Sequence, residues 1–261
     1  MLSEVPAVDI LGIPVAAWRL EDLLKWVDDQ IKNAHGAANT VMYANVHTLN
    51  LACEDPDFHR ILRAADVVYC DGAGVRLGAR LLNQDIPERM TGADWINDLC
   101  RLAEKEKHRL FFLGGREGIA ERAVARLKAR FPRLLVAGVH HGYFHHHARQ
   151  QEALFSNLKA ADIDILLVGM GSPMQEFWIN SHISRFSMPV VWAMGAAMDF
   201  VAEAVPRAPA WMRRHHLEWL FRLKTEPRRL WRRYTVGNAM FILRVLRNRQ
   251  THSGKIRRQT I

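Results

Sequence analysis

The feature that most restricts what this chain can fold into is a recurring unit, a short apolar run that ends in glycine before a helical pattern begins. Asp66–Cys70 runs into Asp71-Gly72-Ala73-Gly74, Leu110–Leu113 into Gly114-Gly115, and Leu134–Ala137 into Gly138. Ile163–Val168 runs into Gly169-Met170-Gly171, and Pro189–Met194 into Gly195; Thr40–Val46 is a further strand run. Helical spacing fills the intervals at Leu20–Lys32, Thr48–Ala64 (with a break expected at Pro56), Gly74–Leu82, Ile119–Arg130, Gln151–Ala160 and Met174–Ser184. Strands apolar on both faces and alternating with helices imply right-handed crossovers and a covered parallel sheet. The predicted fold is α/β, a Rossmann-like, largely parallel sheet with helices on both faces, plus a basic C-terminal helical appendage.

Ligands of such folds sit outside the carboxyl ends of the strands. Asp71 stands at one of those ends, followed by glycines that let another group approach closely. Two readings of it stand, a carboxylate aimed at a ligand and an N-cap of the next helix. The glycine turns at Gly114, Gly115, Gly169, Gly171 and Gly195 offer backbone N–H groups for phosphate, which suggests a nucleotide-type ligand. No Gly-x-Gly-x-x-Gly or P-loop signature is present, and no Gly-x-Ser-x-Gly elbow, so dinucleotide oxidoreductase, NTPase and serine hydrolase readings are weak. In the run Gly169–Glu176, Pro173 suits a helix start and Gln175 is expected on the first turn, facing outward from the sheet edge, either solvated or held over a ligand. His140, His141, His145, His146 and His147 crowd one stretch without a cysteine or paired carboxylate at ligand spacing, so a surface loop is expected and no metal site. Asp162-Ile163-Asp164 leads into a strand instead of ending one, and is discounted as a metal motif.

Charge divides the chain. From Arg207 onward there are 15 Lys and Arg against two acids, a balance of +13, which leaves 21 against 25, or −4, for the first 206 residues. The expected organisation is therefore a catalytic α/β domain over 1–206, a basic Arg/Trp-rich helical appendage over 207–250 (helices Trp211–Lys224 and Leu230–Arg249), and a disordered tail over 251–261. Arginine forks suit phosphate, and Trp211, Trp219, Phe221, Trp231 and Tyr234 interleave with them as at an anionic membrane interface. A single-stranded nucleic acid would be served by the same mixture, so a nucleic-acid-binding α/β protein is the competing reading. An apolar face in the appendage would equally serve a homo-oligomer contact. The three cysteines form no disulfide framework, the N-terminus lacks a signal-peptide pattern, and no window is apolar enough to span a bilayer. A cytoplasmic setting is expected.

In order along the chain, AsnValHisThrLeuAsn at 45–50, CysAspGlyAlaGly at 70–74, ProGluArgMetThrGly at 87–92, PhePheLeuGlyGly at 111–115, HisGlyTyrPhe at 141–144, ValGlyMetGlySerProMetGlnGlu at 168–176, ArgAlaProAlaTrp at 207–211, LeuGluTrpLeuPheArgLeu at 217–223 and GluProArgArg at 226–229 resemble the WecG/TagA/CpsF glycosyltransferases, glycosyltransferase family 26. The resemblance implies inverting, metal-independent transfer of a hexose (N-acetylmannosamine, its uronic acid or glucose) from a UDP-sugar to a polyprenyl-diphosphate-linked saccharide. It places the enzyme peripherally on the inner face of a bacterial plasma membrane, with no nucleic-acid partner and no cofactor. Carried over by position, it implies Asp71 as general base, Asn45 and Gln175 holding the sugar or acceptor, and Arg89 steadying the leaving diphosphate. Arg222, Arg229 and Arg232 would close over the site. The chain departs from the pattern at Tyr43, a substrate-pocket position where the family usually carries threonine. At Glu203-Ala204-Val205 the usual glycine is missing.

Overall fold

The side chains of the strands divide between two cores. Val41, Tyr43, Val67, Tyr69, Leu110, Phe112, Ile165, Leu167, Val190 and Trp192 face one helical layer; Met42, Ala44, Val68, Cys70, Phe111, Leu113, Leu166, Val168, Val191 and Ala193 face the other. That alternation is the period-two geometry of a strand, here apolar on both sides. The computed structural model describes residues 6–258 except 35, 145–147 and 216, and for 148 and 250–258 it describes the backbone alone.

In chain order, a hairpin of β1 (Ala7–Ile10) and β2 (Ile13–Ala16) precedes α1 (Leu20–Lys32), β3 (Asn39–Ala44), α2 (Val46–Glu54), α3 (Pro56–Ala64), β4 (Val67–Cys70), α4 (Ala73–Leu81) and α5 (Gly92–Glu106). Then follow β5 (Arg109–Gly114), α6 (Ile119–Arg130), β6 (Leu135–His140), α7 (Ala148–Ala160), β7 (Ile165–Gly169), α8 (Met174–His182), β8 (Val190–Ala193) and α9 (Ala197–Val201). The basic segment forms α10 (Ala210–Arg214), α11 (Glu218–Thr225), α12 (Pro227–Tyr234) and α13 (Val236–Arg258). The large sheet is parallel throughout, in the order β4-β3-β8-β7-β5-β6. The predicted α/β class and its covered parallel sheet are what the chain adopts.

Several boundaries differ from the expected ones. The β1–β2 hairpin turns on Leu11 and Gly12, both at positive φ (59° and 84°); such turns usually announce themselves as Asn-Gly or Asp-Gly, and leucine hid this one. The sequence reading also placed no element between Leu82 and Leu110, where α5 buries Trp95, Ile96, Leu99, Cys100 and Ala103 at helical spacing. The helix expected over Trp211–Lys224 is two helices, and the one over Leu230–Arg249 is broken between Tyr234 and Val236. Helix α13 continues to Arg258, into the stretch expected to be disordered, while 259–261 lie outside the described residues.

The basic segment does not hang clear of the α/β body. Phe241 and Val245 of α13 are fully buried in the core on the α2–α4 side of the sheet. Gly78 of α4 makes the room: a Cβ there would lie 2.7 Å from the Phe241 ring. Asn50 of α2 donates to the Gly237 carbonyl at 2.8 Å, and Arg244 donates back to Asn50 and to Glu54. Among the described residues no helix is long and apolar enough to cross a membrane.

Candidate active site

A cavity of about 640 Å³ opens at the carboxyl ends of β3, β4 and β8 and is walled on its far side by α11, α12 and α13. Asn45 stands where β3 gives way to α2 and caps that helix. Its Oδ1 accepts the backbone N–H groups of His47 and Thr48, both at 3.0 Å, while Thr48 Oγ1 accepts the N–H of Asn45 at 2.8 Å. With Oδ1 fixed by two donors, Nδ2 must point the other way, and it donates to Asp71 Oδ2 at 3.2 Å. The backbone N–H of Asp71 donates to Ala44 O at 2.8 Å, extending the β3–β4 ladder by one residue. Helix α4 then begins at Gly72 (φ 106°) with no side-chain cap. The N-cap reading of Asp71 therefore fails: its carboxylate faces the cavity. Burial raises its pKa above the usual carboxylate range, opposed by the Asn45 hydrogen bond and by the fields of Arg233 and Arg222.

Four guanidiniums share this cavity: Arg89, Arg222, Arg229 and Arg233. Arg89 donates to the Arg213 carbonyl at 3.3 Å. Arg222 lies 5.7 Å from the Phe200 ring centroid, and its buried Nε has no hydrogen-bond partner among the described residues. Arg229 pairs with Glu226 one turn back. Arg232, expected in this group, is exposed on the outer side of α12 and does not reach the cavity. Leu230 pins the inner side of that helix, and residues four apart share a face, so Arg229 and Arg233 point inward together. Arg233 is the residue the sequence reading missed. His47, inside the 45–50 motif but assigned no role there, also lines the cavity, and burial and Arg233 push its pKa down to about 4. It is neutral at physiological pH.

Gln175 faces inward, contrary to expectation. It is fully buried, with Oε1 accepting from the Gly171 and Gly195 N–H groups, both at 3.2 Å, and Nε2 donating to Tyr43 Oη and Glu176 Oε1. It staples two strand ends beneath the cavity floor, where Tyr43, Gly171, Ser172 and Gly195 are the lining residues. Gly114, Gly115 and Gly169 do not line the cavity. A Cβ on Gly114 would lie 2.2 Å from Gly169 O, one on Gly115 would lie 2.7 Å from Ile119, and one on Gly169 would lie 2.8 Å from Gly195 O. Close packing accounts for these three glycines.

Asp164 sits at the opposite, amino end of β7, where it takes two hydrogen bonds from the Arg109 guanidinium at 3.0 Å and one from its backbone N–H at 2.7 Å. The rings of His140 and His141 are tilted by 36° with centroids 4.5 Å apart and do not line the cavity, Tyr143 is exposed, and His145–His147 lie outside the described residues. The outer surface of the basic segment exposes Trp211, Leu220, Trp231, Val236, Met240 and Leu243 among its arginines.

A curated relative from Bacillus spizizenii is 32% identical over 182 residues, covering 70% of this chain and 69% of its own. One from Bacillus subtilis is 29% identical over 201 residues, 77% of each chain, and one from Staphylococcus aureus 26% over 239 residues, 92% of each. All three are named N-acetylglucosaminyldiphosphoundecaprenol N-acetyl-beta-D-mannosaminyltransferase. The family model described as the glycosyl transferase WecG/TagA/CpsF family matches residues 8–255, from β1 into α13. The chain belongs to the WecG/TagA/CpsF family of glycosyltransferases.

Proposed function

We propose that the protein transfers a hexose of the N-acetylmannosamine type from a UDP-sugar to a saccharide carried on a polyprenyl diphosphate, with inversion and without a metal ion. The observation that carries this is one cavity holding the Asp71 carboxylate and four guanidiniums. The acceptor hydroxyl attacks the anomeric carbon, Asp71 takes its proton, and the bond to the UDP oxygen breaks on the opposite side of the ring. A carboxylate with a raised pKa is the stronger base for that step. Negative charge grows on the departing diphosphate, and the presence of the Arg89, Arg222, Arg229 and Arg233 guanidiniums in the same cavity supports their meeting it. Asn45 holds Asp71 in register.

The relatives' names support the acceptor class, since those enzymes act on N-acetylglucosaminyl-diphosphoundecaprenol. Such an acceptor is anchored in a bilayer, and the exposed tryptophans and arginines beyond Arg207 suit its anionic inner face. The test measures UDP release from UDP-N-acetylmannosamine with a synthetic polyprenyl-diphosphate saccharide, present or absent, in chelator. Acceptor-dependent release is expected, lost about 10²- to 10⁴-fold in Asp71→Asn with UDP-sugar binding retained. Unimpaired turnover in that variant removes Asp71 as base, and turnover abolished by chelator removes the metal-free reading.

A further inference from the structure

Beneath the cavity floor lies a polar group that the transfer chemistry does not use. Glu176 is fully buried and, among the described residues, forms no ion pair with a cation. Its Oε1 accepts from Ser172 Oγ at 2.6 Å and from Gln175 Nε2 at 2.8 Å, and its Oε2 has no hydrogen-bond partner among the described residues. A leucine of similar volume would remove the orphaned oxygen but leave the Ser172 and Gln175 donors without this acceptor. The effect of the carboxyl is carried to the cavity by these two partners.

Both of those partners touch Tyr43: Ser172 Oγ lies 2.9 Å from Tyr43 Oη, and Gln175 Nε2 lies 3.2 Å from it. The proton positions follow from counting donors. Two backbone N–H groups fix Oε1 of Gln175, so its Nε2 can only donate, to Tyr43 and to Glu176, with a longer contact to Ser172 Oγ at 3.5 Å. Ser172 has one proton, and Glu176 Oε1 takes it. In the Ser172–Tyr43 contact the serine must then accept, and the phenol proton is committed to Ser172. The order runs Gln175 N–H to Tyr43, Tyr43 O–H to Ser172, Ser172 O–H to Glu176. One lone pair of Tyr43 remains. Tyr43 lines the cavity, and Gly195 lets its oxygen in, since a Cβ there would lie 2.8 Å from it.

We propose that Glu176 is a positioning residue that fixes the Tyr43 hydroxyl as a hydrogen-bond acceptor at the cavity floor, so that the site takes a sugar presenting an N–H or O–H at that point. The nature of the ligand rests on the sugar-transfer reading; the direction of the relay does not. Burial raises the pKa of the Glu176 carboxyl, opposed by the hydrogen bonds from Ser172 and Gln175.

Two readouts test this. Ultraviolet resonance Raman of the ligand-free full chain reports, through the tyrosine Fermi doublet, whether a phenol donates or accepts; subtracting the Tyr43→Phe spectrum isolates Tyr43. In Glu176→Leu, Ser172 loses its acceptor, its proton turns to Tyr43, and the doublet moves toward that of an accepting phenol. Ser172→Ala, a smaller change, removes the acceptor of the Tyr43 proton and moves the doublet the same way. Glu176→Gln, with its amide oxygen toward Ser172, restores the wild-type doublet. In turnover of UDP-N-acetylmannosamine, Tyr43→Phe and Glu176→Leu raise KM about three- to tenfold, the worth of one neutral hydrogen bond, with a smaller change in kcat, and Glu176→Gln recovers KM. A doublet identical in wild type, Glu176→Leu and Ser172→Ala, with circular dichroism showing all three folded, overturns the relay. So does a Glu176→Gln variant that behaves as Glu176→Leu in both readouts. A wild type that turns over no UDP-sugar removes the transfer reading instead, and the doublet still decides the relay.

Discussion

Asn45 does two jobs with one side chain, and a pair of substitutions separates them. Its Oδ1 caps α2 through two 3.0 Å hydrogen bonds, and its Nδ2 holds Asp71 at 3.2 Å. Asn45→Ala removes both. Loss of the cap costs about 1 kcal/mol, which in a chain of this size lowers Tm by roughly 2–4 °C. Asn45→Ser keeps a capping oxygen and loses only the donor to Asp71, so its Tm should stay close to wild type. Both variants should move the acid limb of kcat/KM in the same direction. The lost hydrogen bond favoured the ionised carboxylate, so without it Asp71 holds its proton to higher pH. A general base works only when deprotonated; the limb therefore shifts to higher pH in both, while stability falls only in the alanine variant. Thermal unfolding by circular dichroism gives the first quantity, and UDP release across pH gives the second. An acid limb unmoved or shifted to lower pH in Asn45→Ser would refute the coupling of Asn45 to the base. Equal destabilisation of both variants would refute the separation of its two roles.

Two further outcomes follow from the basic segment. Arg233→Ala should lower kcat/KM by roughly 10- to 150-fold, the range of a hydrogen bond to a charged group, whereas Arg232→Ala should stay within about twofold as an exposed surface change; steady-state kinetics of the pair would reveal an error in the assigned face of α12 if the order were reversed. Phe241→Ala should destabilise the whole chain by about 3–5 kcal/mol in a single denaturant transition, because α13 shares the core of the sheet; a separate, early transition would instead mark the basic segment as an independent unit.

The legible parts of this protein are those fixed by local periodicity. Apolar runs that end in glycine and alternate with helical spacing admit little besides a covered parallel sheet, and a carboxylate released at a strand's carboxyl end lands where ligands bind. Asp71, Asn45, Arg89, Arg222 and Arg229 accordingly meet at one cavity. The unequal charge of the two parts of the chain was equally plain. What local pattern misjudged was direction. Gln175 reads as a solvent-facing first-turn residue because nothing in sequence shows that Gly171 and Gly195, twenty-four residues apart, come together to receive its oxygen. Gly114, Gly115 and Gly169 read as phosphate cradles for the same reason, since a strand-end glycine looks alike whether it admits a ligand or a neighbouring backbone.

The amino-acid sequence alone determines the sheet, its helical cover, the position of the Asp71 carboxylate at a strand end and the presence of a basic, tryptophan-rich segment, because each depends on residues close together in the chain. Only the tertiary structure decides that α12 turns Arg233 inward and Arg232 outward, that α13 is part of the core, and that Glu176, Ser172, Gln175 and Tyr43 form one buried relay. Those depend on the rotation of a helix about its axis and on contacts between distant residues, such as the 132-residue span from Tyr43 to Gln175, which no local pattern encodes.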